Sequence, residues 1–178
     1  MLLKSKKIAY LGILLAINQI ILMLSTIFVS NTLIIFALAA IIIGVVIIEF
    51  NLASGVTFYI ASSLLSFILV PDKLQIITYI AFFGIYSIVK YLIEMLVNRK
   101  FLSVIVEFIL KLGFFNIMLV IYYFAISQFV TIISVEFTST WWLIVLAEIF
   151  FIAYDYFLGY FLHVYTNKIK PRLKKYLG

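Results

Sequence analysis

Long apolar runs punctuated by short polar clusters define this chain. Residues 33–48 contain no polar side chain, and similar runs recur to the end. A run that is apolar at every position lacks the period-two alternation of a barrel strand. It fits a helix, which crosses the ~30 Å hydrocarbon layer with about 20 residues. The polar clusters Ser30–Thr32, Glu49–Asn51, Pro71–Lys73, Asn98–Lys100 and Glu136–Thr140 then divide the sequence. The pattern predicts spans over about 8–29, 33–48, 52–70, 74–97, 108–132 and 141–165, with a basic tail over 166–178. The whole chain reads as a single integral membrane domain.

Two divisions rest on thin signals. Between spans 2 and 3 only Glu49 and Asn51 mark a break, read as a tight helical hairpin. Reading through it gives five spans and puts the termini on opposite sides. The fifth run, from Phe101 to about Val135, exceeds one crossing. It predicts a short interfacial helix carrying Glu107 and Lys111 before a crossing from about Gly113.

Charge decides the count and the orientation. Six spans with the N-terminus inside place Lys4, Lys6, Lys7, Arg99, Lys100, Lys168, Lys170, Arg172, Lys174 and Lys175 in the cytoplasm and only Lys73 outside. This satisfies the positive-inside rule. Trp141 and Trp142 fit the outer aromatic belt, Tyr160 and Tyr165 the inner one. The run after Lys7 is too long for a signal-peptide core and no small-x-small cleavage site follows, so it reads as a retained span. The expectation is an all-α, polytopic helical bundle with about six spans, N-in and C-in, in the plasma membrane.

Composition agrees: 67% of residues are hydrophobic and 11% charged. So few charges cannot cover a water-soluble domain of 178 residues. The net charge of +6 is explained by orientation rather than by nucleic acid. The absence of cysteine excludes disulfides, thiolate metal sites and cysteine catalysis. There is no phosphate-cradling glycine loop, no H-E-x-x-H and only one histidine, His163, so the sequence predicts no enzyme, cofactor or metal.

Polar groups inside the spans are the candidates for chemistry, because a charge at mid-membrane costs about 2.5–3.5 kcal/mol on insertion scales. Glu148 and Asp155, seven residues apart, share a face of span 6. They could line a ligand cavity or cation path, or pair with partners on other spans. His163 lies roughly on that face near the cytoplasm. Lys90 with Glu94, and Glu107 with Lys111, have i,i+4 spacing for ion pairs. Lys90, Lys111 and Asp155 lie at similar depth and predict one ionic network joining spans 4, 5 and 6. Asn18, Gln19 and Asn116 are mid-span amides that either bind a ligand or bond across helices. Gly12 with Ala16, and Ala40 with Gly44, are small-residue pairs that predict close helix packing or contact with a partner subunit.

A nearly loopless six-span chain, basic at both ends, with Ala9, Gly12 and Ala16 on its first span, resembles the substrate-binding S components of the energy-coupling factor transporters. Ile13 departs from that family's small-residue pattern. The resemblance implies capture of a vitamin-type micronutrient outside the cell. It also implies a transmembrane coupling subunit reached through Gly12 and Ala16, and paired cytoplasmic ATPases. Glu148, with the loop around Pro71 as a lid, would then be the substrate-site candidates. The competing class is a non-catalytic scaffold or assembly partner in a bacterial envelope, its basic tail holding anionic lipid or a cytoplasmic protein.

Overall fold

The computed structural model describes residues 2–98, 103–127 and 141–172. These form helices α1 (Leu2–Ile27), α2 (Thr32–Glu49), α3 (Leu52–Leu69), α4 (Lys73–Thr78), α5 (Ile85–Asn98), α6 (Val104–Ser127) and α7 (Trp141–Val164). A 3-10 turn at Val29–Asn31 leads into α2, and a wider π turn at Tyr79–Gly84 joins α4 to α5. A second π turn, Tyr165–Ile169, extends α7, and the helix runs on to residue 172. Six stretches are long and apolar enough to cross a membrane: Ser5–Ile27, Val29–Glu49, Leu52–Leu69, Lys73–Val97, Val104–Phe124 and Trp142–Arg172. The chain is an all-α, multi-pass membrane protein.

The polar breaks are helix caps. Asn51 ends the α2–α3 connection by accepting the Ser54 N–H at 2.8 Å, the N-cap geometry. Asp72 caps α4 by accepting the Gln75 N–H at 3.1 Å. Next to it, Lys73 Nζ donates to the terminal carbonyls of Phe67 and Val70, at 2.6 and 2.9 Å, closing α3. Adjacent opposite charges thus finish one helix and start the next, in the sense the helix dipoles favour.

Two differences from the sequence reading concern charged residues. The fifth run holds no separate interfacial helix: α6 is continuous through Glu107, Lys111 and Gly113. A lysine is tolerated there because acids surround it, as shown below. The tail expected from residue 166 is helical up to residue 172. Arg99, Lys100, Lys174, Lys175, the break at Glu136–Thr140 and the expected end of span 5 lie outside the described residues.

The chain divides into two compact units, residues 1–91 with 161–178, and residues 92–160. In the first, α2 is enclosed by α1, α3 and the π turn. Ala39, Ala40, Ile43 and Val46 of α2 have no exposed surface. A helix apolar all round is what an enclosed position in a membrane bundle demands. Gly44 on α2 lets the last helix approach: a Cβ there would lie 2.8 Å from Leu162 Cδ2. In the second unit, Phe115 of α6 stacks on Phe151 of α7, ring centres 4.4 Å apart.

On α1 and α3 the polar residues turn inward and apolar ones outward. Helix α1 buries Asn18, Gln19 and Ser25 while Ile8, Ile13, Ile20 and Ile27 are exposed. Helix α3 buries Ser54, Ser62 and Ser66 while Leu64 and Ile68 face outward. Water would select the opposite arrangement; lipid outside and hydrogen bonding inside select this one.

One end of the first unit gathers the start of α1 and the extension of α7. Lys7 Nζ donates to Ser54 Oγ at 2.7 Å and lies 5.1 Å above the Phe50 ring. Tyr165 Oη donates to Glu49 Oε1 at 3.1 Å. Lys170 lies 3.4 Å from that oxygen and donates to the Ile48 carbonyl at 3.0 Å. The start of α1 and the extension of α7 therefore meet the α2–α3 turn on the same side, as an even number of spans requires.

Candidate functional site

The first unit holds a buried cluster of uncharged polar side chains from α1, α3 and the π turn. Asn18 has no exposed surface and Gln19 has 6%. Asn18 Nδ2 donates to the Ala39 carbonyl at 2.8 Å. That fixes its amide, so Oδ1 accepts the Ser62 hydroxyl proton at 2.6 Å. With that proton committed, the Tyr79 hydroxyl is the donor in its 3.4 Å contact with Ser62 Oγ. Gln19 Nε2 donates to the Ser62 carbonyl at 3.1 Å and is 3.3 Å from Ser62 Oγ. Reversing the Gln19 amide would set two acceptor oxygens against each other, so its orientation is fixed as well.

This network leaves an acceptor without a donor. Among the described residues, Gln19 Oε1 is buried without a hydrogen-bond partner, and the same holds for Ser63 Oγ on α3 and Gln75 Oε1 on α4. Gln75 lies four residues before Tyr79, one turn nearer the Pro71 end and on the same face. The π turn that begins at Tyr79 matters here, since such wide turns re-aim side chains and occur at functional positions. Tyr79 is wholly buried, with its ring against Phe36.

The second unit holds the charged cluster. Lys111 on α6 is buried, and its ammonium lies 2.7 Å from Glu107, 3.1 Å from Glu94 and 3.3 Å from Asp155. An ammonium has three N–H donors, and three carboxylates use them. The lysine is therefore a fixed charged joint between α5, α6 and α7, not a nucleophile. One turn along α6, Asn116 Nδ2 donates to the Leu112 carbonyl at 3.0 Å and to Glu148 Oε1 at 3.3 Å. The two acids of α7 both face the polar side of α6, as their seven-residue spacing implies, but each has its own partner there.

The residues singled out in the sequence thus fall into separate groups. Asn18 and Gln19 meet each other's partners in the first unit; Asn116 meets Glu148, and Asp155 meets Lys111, in the second. Glu94, Lys111 and Asp155 bring spans 4, 5 and 6 into one ionic network, and Lys90 is buried. His163 is exposed and contacts Asn167. Ser62 and Tyr79 were not singled out, although the serine spacing 54, 62, 66 on α3 marks one polar helical face.

The two small-residue pairs have opposite environments. Gly44 is packed against Leu162, whereas a Cβ on Gly12 would meet nothing within 4 Å. Gly12 and Ala16 lie on the exposed side of α1 with Ala9, Ile13 and Ile20, so internal packing does not account for them. No group of three or more metal-binding side chains occurs among the described residues. No protein-family model, curated protein or solved structure matches this chain.

Proposed function

We propose that this multi-pass protein is the substrate-binding membrane subunit of a micronutrient uptake transporter in the plasma membrane. In this reading it performs no chemistry and binds no nucleotide. It hands its substrate across the membrane with a transmembrane coupling subunit and cytoplasmic ATPases. The observation that carries the reading is the buried amide–hydroxyl cluster of Asn18, Gln19, Ser62 and Tyr79, which keeps an acceptor oxygen unsatisfied inside a lipid-exposed bundle. A ligand that presents a hydrogen-bond donor would satisfy that oxygen.

The open face of α1 supports the coupling part. Small residues let helix backbones approach closely; a Cβ on Gly12 would meet nothing within 4 Å, and Ala16 is exposed. The scaffold alternative draws less support, since Lys170, one of its lipid-binding cations, is engaged by Glu49 and the Ile48 carbonyl. The test is affinity purification of the tagged full chain from its native membrane. A coupling subunit and ATPases should accompany it, and Gly12→Leu should cut their recovery at least about tenfold while the chain still folds. Recovery of the wild-type chain with neither partner would refute the coupling role.

A further inference from the structure

We infer that the end of the first unit carrying Lys6, Lys7, Lys168 and Arg172 seats the phosphodiester headgroup of an anionic phospholipid, with Lys7 as its fixed anchor. This surface is separate from the substrate and coupling roles proposed above and depends on neither.

The acids of the first unit are spoken for. Residues 1–91 and 161–178 contain only Glu49 and Asp72. Asp72 lies beyond the far end of α3, where it caps α4. Glu49 is occupied, with Tyr165 Oη and Lys170 Nζ at 3.1 and 3.4 Å from its Oε1. Among the described residues, Lys6, Lys7, Lys168 and Arg172 therefore have no carboxylate partner. A cluster of about four or more cations beside a membrane helix attracts anionic headgroups.

Lys7 differs from the other three in being held. Its ammonium donates to Ser54 Oγ at 2.7 Å and stands 5.1 Å from the centre of the Phe50 ring. The Ser54 hydroxyl proton goes to Asn51 Oδ1 at 2.8 Å, so Ser54 serves the lysine as an acceptor only. Two of the three ammonium N–H groups are left for a ligand. Hydroxyl and ring fix the cation without neutralising it. A phosphodiester supplies the missing negative charge and the acceptor oxygens in one group.

The extension of α7 brings in the other cations. Lys170 ties it to the Ile48 carbonyl and Glu49, beside the same α2–α3 turn that Lys7 touches. Lys168 and Arg172, two positions either side of Lys170, fall on the opposite face of that helix and are exposed.

Apolar neighbours select a lipid over a free anion. Ile8, next to Lys7, is 70% exposed, and Ile169, next to Lys168, is exposed as well. Hydrocarbon covers these side chains directly below the cations. A phospholipid uses both surfaces, its headgroup on the ammonium groups and its chains on the isoleucines; a free phosphate uses only the first.

The test uses the purified full chain, delipidated in neutral detergent and read by native mass spectrometry and thermal shift. The probes are phosphatidylglycerol and the zwitterionic phosphatidylcholine, with inorganic phosphate as competitor. Phosphatidylglycerol should bind at least about tenfold more tightly than phosphatidylcholine, and an equal concentration of phosphate should not displace it. Lys7→Gln should weaken phosphatidylglycerol binding about fivefold, the share of one surface cation, and leave phosphatidylcholine unaffected. Because Lys7→Gln also alters the contact with Ser54, a second variant replaces the exposed Lys6, Lys168 and Arg172 together by glutamine; it should weaken binding at least about tenfold. Lys73→Gln, beyond the far end of α3, should change nothing. Equal binding of the two lipids, unchanged phosphatidylglycerol binding in both variants, or an equal loss in Lys73→Gln, which marks diffuse attraction without a seat, would overturn the inference. So would displacement by phosphate, which makes a free anion the ligand.

Discussion

Replacing Lys111 with methionine tests the charged cluster most directly. The substitution keeps an unbranched side chain, one atom shorter, and removes its charge. Three carboxylates then lose their shared cation. Removing one member of a buried ion pair costs about 3–5 kcal/mol, because the remaining charge stays desolvated. That figure must be discounted here. The Glu94 side chain is 39% exposed, so its contribution is at most about 1 kcal/mol. Glu107 and Asp155, at 19% and 24%, keep some access to solvent or headgroups. A total of about 3 kcal/mol follows, more than a hundredfold in the unfolding equilibrium. The assay is unfolding of the purified chain in mixed micelles by increasing dodecyl sulfate, followed by circular dichroism. The double variant with Asp155→Asn should recover about 1 kcal/mol, since one of the carboxylates that Lys111 neutralises is gone. Stability of Lys111→Met within about 0.5 kcal/mol of wild type would refute the role of the lysine as a joint. So would strict additivity of the two changes.

Four further outcomes are expected. Asn51→Ala removes the cap of α3 and should lower stability by about 1 kcal/mol in the same unfolding assay. Gly44→Leu drives a side chain into Leu162 and should cost about 1–3 kcal/mol, whereas Gly12→Leu should leave the unfolding midpoint unchanged. Because the chain has no cysteine, single cysteines report topology cleanly: one at Ser5 or Arg172 should resist a membrane-impermeant maleimide on intact cells, and one at Asp72 should react. Glu148→Gln keeps an acceptor for Asn116 and should shift stability by less than about 1 kcal/mol, read by thermal denaturation.

The sequence made the spans legible because each polar break is itself a structural device. Asn51 and Asp72 look like interruptions of hydropathy and are caps, so pattern and geometry coincide. The pairing of Asp155 with Lys111 was also legible, through depth counted along the helices. The fifth span was misread for a physical reason: Glu107 and Lys111 suggest an interface only while each is considered alone. Neutralisation by Glu94 and Asp155, from helices distant in sequence, makes the continuous helix tolerable. The glycines show the same limit. Gly12 opens and Gly44 closes pairs of identical spacing, yet only the packing of α7 decides which one is filled. The partners of Asn18 and Gln19 were hidden because helical periodicity gives the face a residue occupies and not the neighbour it meets.

The contacts at Glu49 have a bearing on biosynthesis. Its partners Tyr165 and Lys170 lie 116 and 121 positions later in the chain (170 − 49 = 121). At about 5–20 residues per second, a ribosome needs roughly 6–24 s to supply them after Glu49 has emerged. Through that interval the nascent hairpin carries a carboxylate whose counter-ion has yet to be translated. Insertion of the early helices must therefore precede closure of their own bundle, and a chain truncated before its last span should be a substrate for membrane quality-control proteolysis.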